Sequence, residues 1–206
     1  MRLRQCGTDA VLIEVDSLDE VDAVWAVLDA AARRGELPDL VELVPAARTV
    51  LAAVRPGSGG LAAVRRALPA ELAGQPRRDP REVRIPVQYD GPDLETVART
   101  AGLSIDQAIE LHASATYSVA FCGFAPGFGY LVGLPEPLRQ ARLDKPRTSV
   151  PAGAVGVAGE FTGVYPRSSP GGWRLLGHTD AVLFDASREP AALLAPGDQV
   201  RFEVIR

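Results

Sequence analysis

The chain has 206 residues, 47% of them hydrophobic and 23% charged, which supports one large globular domain or two small ones, each with its own core. Its net charge is −4 and its basic residues are scattered, which excludes a cationic stripe for nucleic acid or anionic lipid. No uninterrupted apolar run approaches the roughly 20 residues of a bilayer helix, and Met1–Gly7 holds no apolar core before a cleavage site. A cytoplasmic protein without membrane or nucleic-acid partners is therefore expected, with Cys6 and Cys122 as free thiols.

The first 68 residues alternate strand and helix signals. Ala10–Val15 reads as a short buried strand. Ser17 with Glu20 three residues on forms a capping box, worth about 1 kcal/mol, and opens a helix whose apolar face is Leu18, Val21, Val24, Trp25, Leu28 and Ala31. Arg33, Arg34 and Gly35 close it. Val41–Val44 and Arg48–Val54 read as strands and Gly60–Leu68 as a second helix, which makes a small two-layer α/β unit over residues 1–80. Pro69–Glu82 lacks apolar periodicity and reads as an exposed connector.

Residues 81–206 form the second predicted domain. Val83–Tyr89 is a strand whose Pro86 suggests an edge, and helices follow from Asp93 and from Ser104, the latter with Gln107 as another capping box. After His112 short apolar runs alternate with Gly and Pro, and 11 of the 20 glycines fall between Gly123 and Gly177. That pattern predicts a β-barrel or sandwich, so the chain is α+β overall.

Two Gly/Pro-rich segments stand out, Phe121–Tyr130 and Tyr165–Trp173. In the first, Phe124, Phe128 and Tyr130 surround Pro126, Gly127 and Gly129 without strict alternation, which suits either rings walling a pocket or rings anchoring a loop. In the second, Ser169, Pro170, Gly171 and Gly172 before Trp173 could present N–H groups to an oxyanion or form a tight hairpin. His112 sits on the inward face of its helix, either as a satisfied core imidazole or as a proton donor and acceptor sharing a cavity with the Phe124–Tyr130 loop. Arg147, stiffened by Pro146 and Pro151, offers paired donors to a carboxylate or phosphate unless it is only a surface cation. Two histidines without acidic residues at ligand spacing predict no protein-built metal site. Lys145 is the single lysine and no phosphate-cradling Gly-rich Lys loop occurs, so nucleotide chemistry needs a partner.

These segments come in fixed company: Tyr89-Asp-Gly-Pro-Asp-Leu94, Glu110-Leu-His-Ala113, Gly123–Leu131, Lys145–Gly153, Val164-Tyr-Pro166, Ser169–Trp173, Gly177-His-Thr179 and Pro196-Gly-Asp198. In this order they closely resemble the family of 5-oxoprolinase B subunits, also labelled KipI or allophanate hydrolase subunit 1. The resemblance implies a cyclophilin-like barrel after the N-terminal domain. It also implies a non-autonomous subunit of an ATP-dependent 5-oxoprolinase, which opens the lactam of 5-oxoproline to glutamate, with the C subunit its direct partner and the A subunit needed to complete the reaction. On that reading the chain binds no cofactor alone, and ATP and Mg belong to the complex. Arg147 and the Ser169–Gly172 backbone take anionic groups, His112 transfers or orients a proton, and Phe124, Phe128, Tyr130 and Trp173 form walls. At His178 the family usually has arginine, so an anion contact carried over to that position loses its permanent charge. Alternative activities within the resemblance are an inhibitor or binding module for a sensor histidine kinase and a urea carboxylase carboxyltransferase-related subunit. The second needs a biotin carrier, and the chain has no Met-Lys-Met motif.

Overall fold

The computed structural model describes residues 1–69 and 80–205. The predicted connector over Pro69–Glu82 falls mostly on residues 70–79, outside the described residues. Two compact units result, Met1–Asp79 and Pro80–Arg206.

In the first unit, strands β1 (Arg2–Gln5), β2 (Ala10–Glu14), β3 (Leu40–Pro45) and β4 (Thr49–Val54) form an antiparallel sheet in the order β1-β2-β4-β3. Helices α1 (Leu18–Arg33) and α2 (Leu61–Ala67) supply its second layer. Alternation decides the burial: Val11 and Ile13 of β2 and Val50, Ala52 and Val54 of β4 join Val21, Val24 and Leu28 of α1 in one core. Ser17 caps α1 by accepting from the Glu20 N–H at 3.2 Å, but the Glu20 carboxylate reaches back to the Asp16 N–H rather than to that of Ser17. Trp25 lies partly buried against this core.

The second unit contains β5 (Glu82–Val87), α3 (Leu94–Ala101), α4 (Ile105–Ser114), β6 (Tyr117–Cys122), β7 (Gly129–Val132), β8 (Arg147–Val150), β9 (Ala154–Ala158), β10 (Phe161–Val164), β11 (Ser169–Gly171), β12 (Arg174–His178) and β13 (Gln199–Val204). Seven of these strands form one sheet in the order β12-β9-β10-β7-β6-β13-β5. Pro86 sits on the terminal strand β5, which runs parallel to β13. The two ends of the sheet then meet. Gln88 and His178 exchange backbone hydrogen bonds at 2.9 and 2.8 Å, and the Gly91 and Asp93 N–H groups donate to Leu176 and Leu175. Of the barrel and the sandwich that the Gly/Pro spacing left open, the sheet forms a nearly closed barrel, as the family resemblance implies, and the chain is α+β. Both halves of the Ser104–Gln107 capping box form on α4.

Period-two alternation gives the β9–β10 hairpin two distinct faces. Val155, Val157, Thr162 and Val164 point into the barrel core, while Ala154, Ala158 and Phe161 belong to a separate aromatic cluster with Phe128, Tyr165 and Trp173. This division decides which candidate residues can meet.

Candidate functional site

The aromatic cluster encloses a pocket of about 110 Å³ lined by Phe124, Phe128, Tyr130, Tyr165 and Trp173, with Arg142 and the Gly171–Gly172 backbone completing it. Both Gly/Pro-rich segments therefore reach one hollow. Its floor is buried: Phe128, Tyr165 and Trp173 are 2%, 2% and 4% exposed. The rings meet edge to face, Phe128 against Trp173 with centroids 5.3 Å apart and against Tyr130 at 5.0 Å, an arrangement favoured by the ring quadrupoles. Gly163 of β10 allows this packing, because a Cβ there would lie 3.2 Å from both the Phe128 and Trp173 rings and 2.9 Å from the Gly129 carbonyl oxygen.

Phe124 forms the rim. Its φ is +68°, the single positive φ outside glycine among the described residues, and it is 58% exposed. A bulky residue in the left-handed region costs about 1–3 kcal/mol, a strain that clusters at functional sites. The turn around it is held by the Phe128 N–H donating to Ala125 O and the Gly123 N–H to Phe128 O. Pro126 is exposed in that turn, and Gly127, at φ +84°, packs against Leu183 and Phe184. Both shape the loop without lining the pocket.

The other sequence candidates lie elsewhere. His112 does not share this pocket. It is 0% exposed inside the barrel, stacked on Phe202 with centroids 4.7 Å apart, on the opposite face of β10 from the aromatic cluster. Thr162 Oγ1 donates to Gly156 O, so His112 Nε2–H donates to Thr162 at 3.0 Å and Nδ1 accepts from the Tyr89 hydroxyl at 2.7 Å. Burial pushes the imidazole pKa down to about 3, which leaves a neutral core histidine without access to a proton acceptor in solvent. Helical spacing correctly put it inward, but inward here means the barrel interior.

Arg147 is not free to take an anion. Its Nη2 donates to both Asp93 oxygens at 3.0 and 2.9 Å, and its Nη1 donates to Trp173 O at 3.3 Å. Asp93 also accepts from the Leu175 N–H at 2.7 Å, so the pair grips the backbone on both sides of Arg174. The sequence missed Asp93, which reads only as a helix cap and makes no capping hydrogen bond of that kind.

Ser169, Pro170 and Gly171 form β11 and pair with β8, Ser169 opposite Val150 and Gly171 opposite Arg147, so the segment is a ladder rather than an anion nest. Gly171, Gly172 and Trp173 still line the pocket, whereas Ser169 and Pro170 do not. His178 lies away from it, at the barrel seam, with Nδ1 2.8 Å from Asp90. Arg142, absent from the sequence candidates, is the cation at the pocket. Burial raises the pKa of the Tyr165 phenol there, and the Arg142 charge works against that rise.

A larger open groove of about 850 Å³ lies elsewhere on this unit, beside Tyr89, Ile109 and Val204. Its charged lining among the described residues is Asp90, Asp106 and Glu110. No group of three or more His, Cys, Asp or Glu residues able to hold a metal occurs among the described residues, and no helix there is long and apolar enough to cross a membrane.

The family model for the carboxyltransferase domain, subdomain C and D, matches residues 1–194. The 5-oxoprolinase B subunit of Escherichia coli O157:H7 is 43% identical over 204 residues, covering 95% of this chain and 92% of that protein. The crystal structure of TTHA0988 superimposes with a TM-score of 0.80 at 37% identity over 100% of this chain, which spans 40% of the TTHA0988 chain. The Kluyveromyces lactis urea carboxylase shares the fold at 19% identity, with a TM-score of 0.69 over 99% of this chain and 22% of its own.

Proposed function

We propose that this chain, which belongs to the carboxyltransferase subdomain C and D family and, within it, to the 5-oxoprolinase B subunits, serves as one non-autonomous subunit of an ATP-dependent 5-oxoprolinase. The complex opens the lactam of 5-oxoproline to glutamate, with the C subunit in direct contact and the A subunit needed to complete the reaction. The observation that carries this reading beyond kinship is the aromatic pocket. Cavities of about 150 Å³ hold benzene, so a pocket of about 110 Å³ is on the scale of a single small ring and well below nucleotide sites, which run to about 300 Å³ and more.

A lactam is resonance-stabilised, and its opening needs an activated carbonyl oxygen and a well-placed attacking group more than a protein nucleophile. What this chain's residues supply is positioning. Phe124, Phe128 and Trp173 present ring faces and edges that hold a compact ring and exclude water, and the Gly171–Gly172 backbone completes the wall. His112 and Arg147 support the walls from behind, the first within the barrel core and the second by fixing Trp173 O.

ATP and Mg²⁺ belong to the assembly in this reading. The aromatic pocket is too small for a nucleotide, and the larger groove, though roomy, presents carboxylates that repel a triphosphate. The experiment is ATP-dependent glutamate release from 5-oxoproline by this chain mixed with the A and C subunits, each component omitted in turn. Loss of release on omitting this chain supports the reading. Release that survives its omission refutes it.

A further inference from the structure

The geometry points to Arg142 as the anion-recognising residue of the aromatic pocket, which makes that pocket selective for a compact ring bearing a carboxylate. The inference rests on reading the pocket as the ring site, and it assigns the charge contact to a residue distinct from Arg147.

Two arginines lie near the pocket, and the structure separates their roles. Arg147 is matched by the Asp93 carboxylate on two oxygens and donates to Trp173 O, so its charge is already paired and both of its Nη atoms are engaged by the fold. Arg142 lines the pocket, is exposed, and makes no hydrogen bond or ion pair among the described residues. Its guanidinium therefore offers a free planar fork to an incoming carboxylate. The rest of the lining explains why the anion comes attached to a ring. Phe124, Phe128 and Trp173 supply apolar surface, and the volume of about 110 Å³ admits one small ring. A bare inorganic anion would leave those faces unused, and a neutral ring would leave Arg142 unmatched. The chain just after Arg142 is fixed, because the Leu143 N–H donates to Gly172 O at 2.7 Å and so ties the Arg142 segment to the pocket wall.

The test is calorimetric titration of the full chain with 5-oxoproline, with cyclopentanecarboxylate and with the neutral lactam 2-pyrrolidinone. The wild-type chain is expected to bind both carboxylates more tightly than 2-pyrrolidinone. Arg142→Gln is expected to weaken both carboxylates by about tenfold, the range of a charge-assisted hydrogen bond, and to leave 2-pyrrolidinone unchanged. Arg142→Lys should restore part of the loss. Arg142 is exposed and has no ion-pair partner among the described residues, so thermal unfolding of both variants should match wild type. Equal carboxylate binding by wild type and Arg142→Gln, an equal loss for all three ligands, or no carboxylate binding at millimolar concentration would each overturn the proposal. No step of this test needs ATP, partners or turnover. Selective carboxylate binding lost in Arg142→Gln upholds the pocket assignment even where the reconstituted complex releases no glutamate, and that second result sinks only the enzymatic reading.

Discussion

The Asp93 carboxylate and the Arg147 guanidinium, 54 residues apart in sequence, meet with Nη2 at 2.9 and 3.0 Å from the two carboxylate oxygens, and together they hold the strand that follows Trp173. Asp93 is 7% exposed and the Arg147 side chain 28% exposed. Removing one partner leaves the other charge largely buried, at a cost of about 3 kcal/mol. Asp93→Asn and Arg147→Gln should each lower the unfolding free energy by about that amount. The double variant should lose much less than the sum, since both remove one interaction. Denaturant unfolding of the three variants checks this, and strict additivity would show that the contact contributes nothing.

His112 makes stability depend on pH in a defined direction. Its folded pKa is depressed from 6.5 to about 3, so between those values the unfolded chain binds a proton that the folded chain refuses. The folded state loses stability as pH falls through that window, by up to about 1.4 kcal/mol per pH unit from this group, and loses none of it above about pH 6.5. His112→Gln, which keeps a donor toward Thr162 and an acceptor toward Tyr89, should be less stable than wild type at pH 7.5 and should close that gap as the pH approaches 4. Urea unfolding at several pH values measures it. A gap that stays constant with pH would show that the imidazole titrates normally.

Phe124 joins strain to exposure. Phe124→Asn replaces a bulky residue at φ +68° with one that tolerates the left-handed region. The expected result is a chain more stable by about 1 kcal/mol that binds a ring ligand more weakly. A loss of both stability and binding would mean that the Phe124 ring anchors the loop instead of walling the pocket.

Gly163 is set tightly between the two floor rings. A methyl there meets the Gly129 carbonyl oxygen at 2.9 Å, which backbone cannot easily relieve, and both Phe128 and Trp173 at 3.2 Å. Gly163→Ala should cost about 1–3 kcal/mol through overpacking and should shift Trp173 fluorescence. An unchanged melting temperature would show that the floor is loosely packed.

Local chemistry was legible in the sequence where a few neighbouring residues decide the outcome. The Ser17 and Ser104 caps and the edge position of Pro86 were read from the residues themselves, while the pocket walls on the two Gly/Pro-rich loops came from the family resemblance. Long-range pairing was not. No periodicity links Asp93 to Arg147, and an exposed Arg142 looks like any surface arginine until the fold brings it beside Trp173. The choice left open at His112 has the same origin. Sequence shows that a residue points inward, but which of two cores it enters depends on the two faces of the β9–β10 hairpin.

The most direct measurement is a crystal structure of this chain, alone or assembled with its partners, in complex with 5-oxoproline. The expected result is the ring between Phe124 and Trp173 with its carboxylate on Arg142, and no ligand density beside His112 within the barrel. Ligand seated instead in the groove between Tyr89 and Val204, or held by Arg147 released from Asp93, would contradict it.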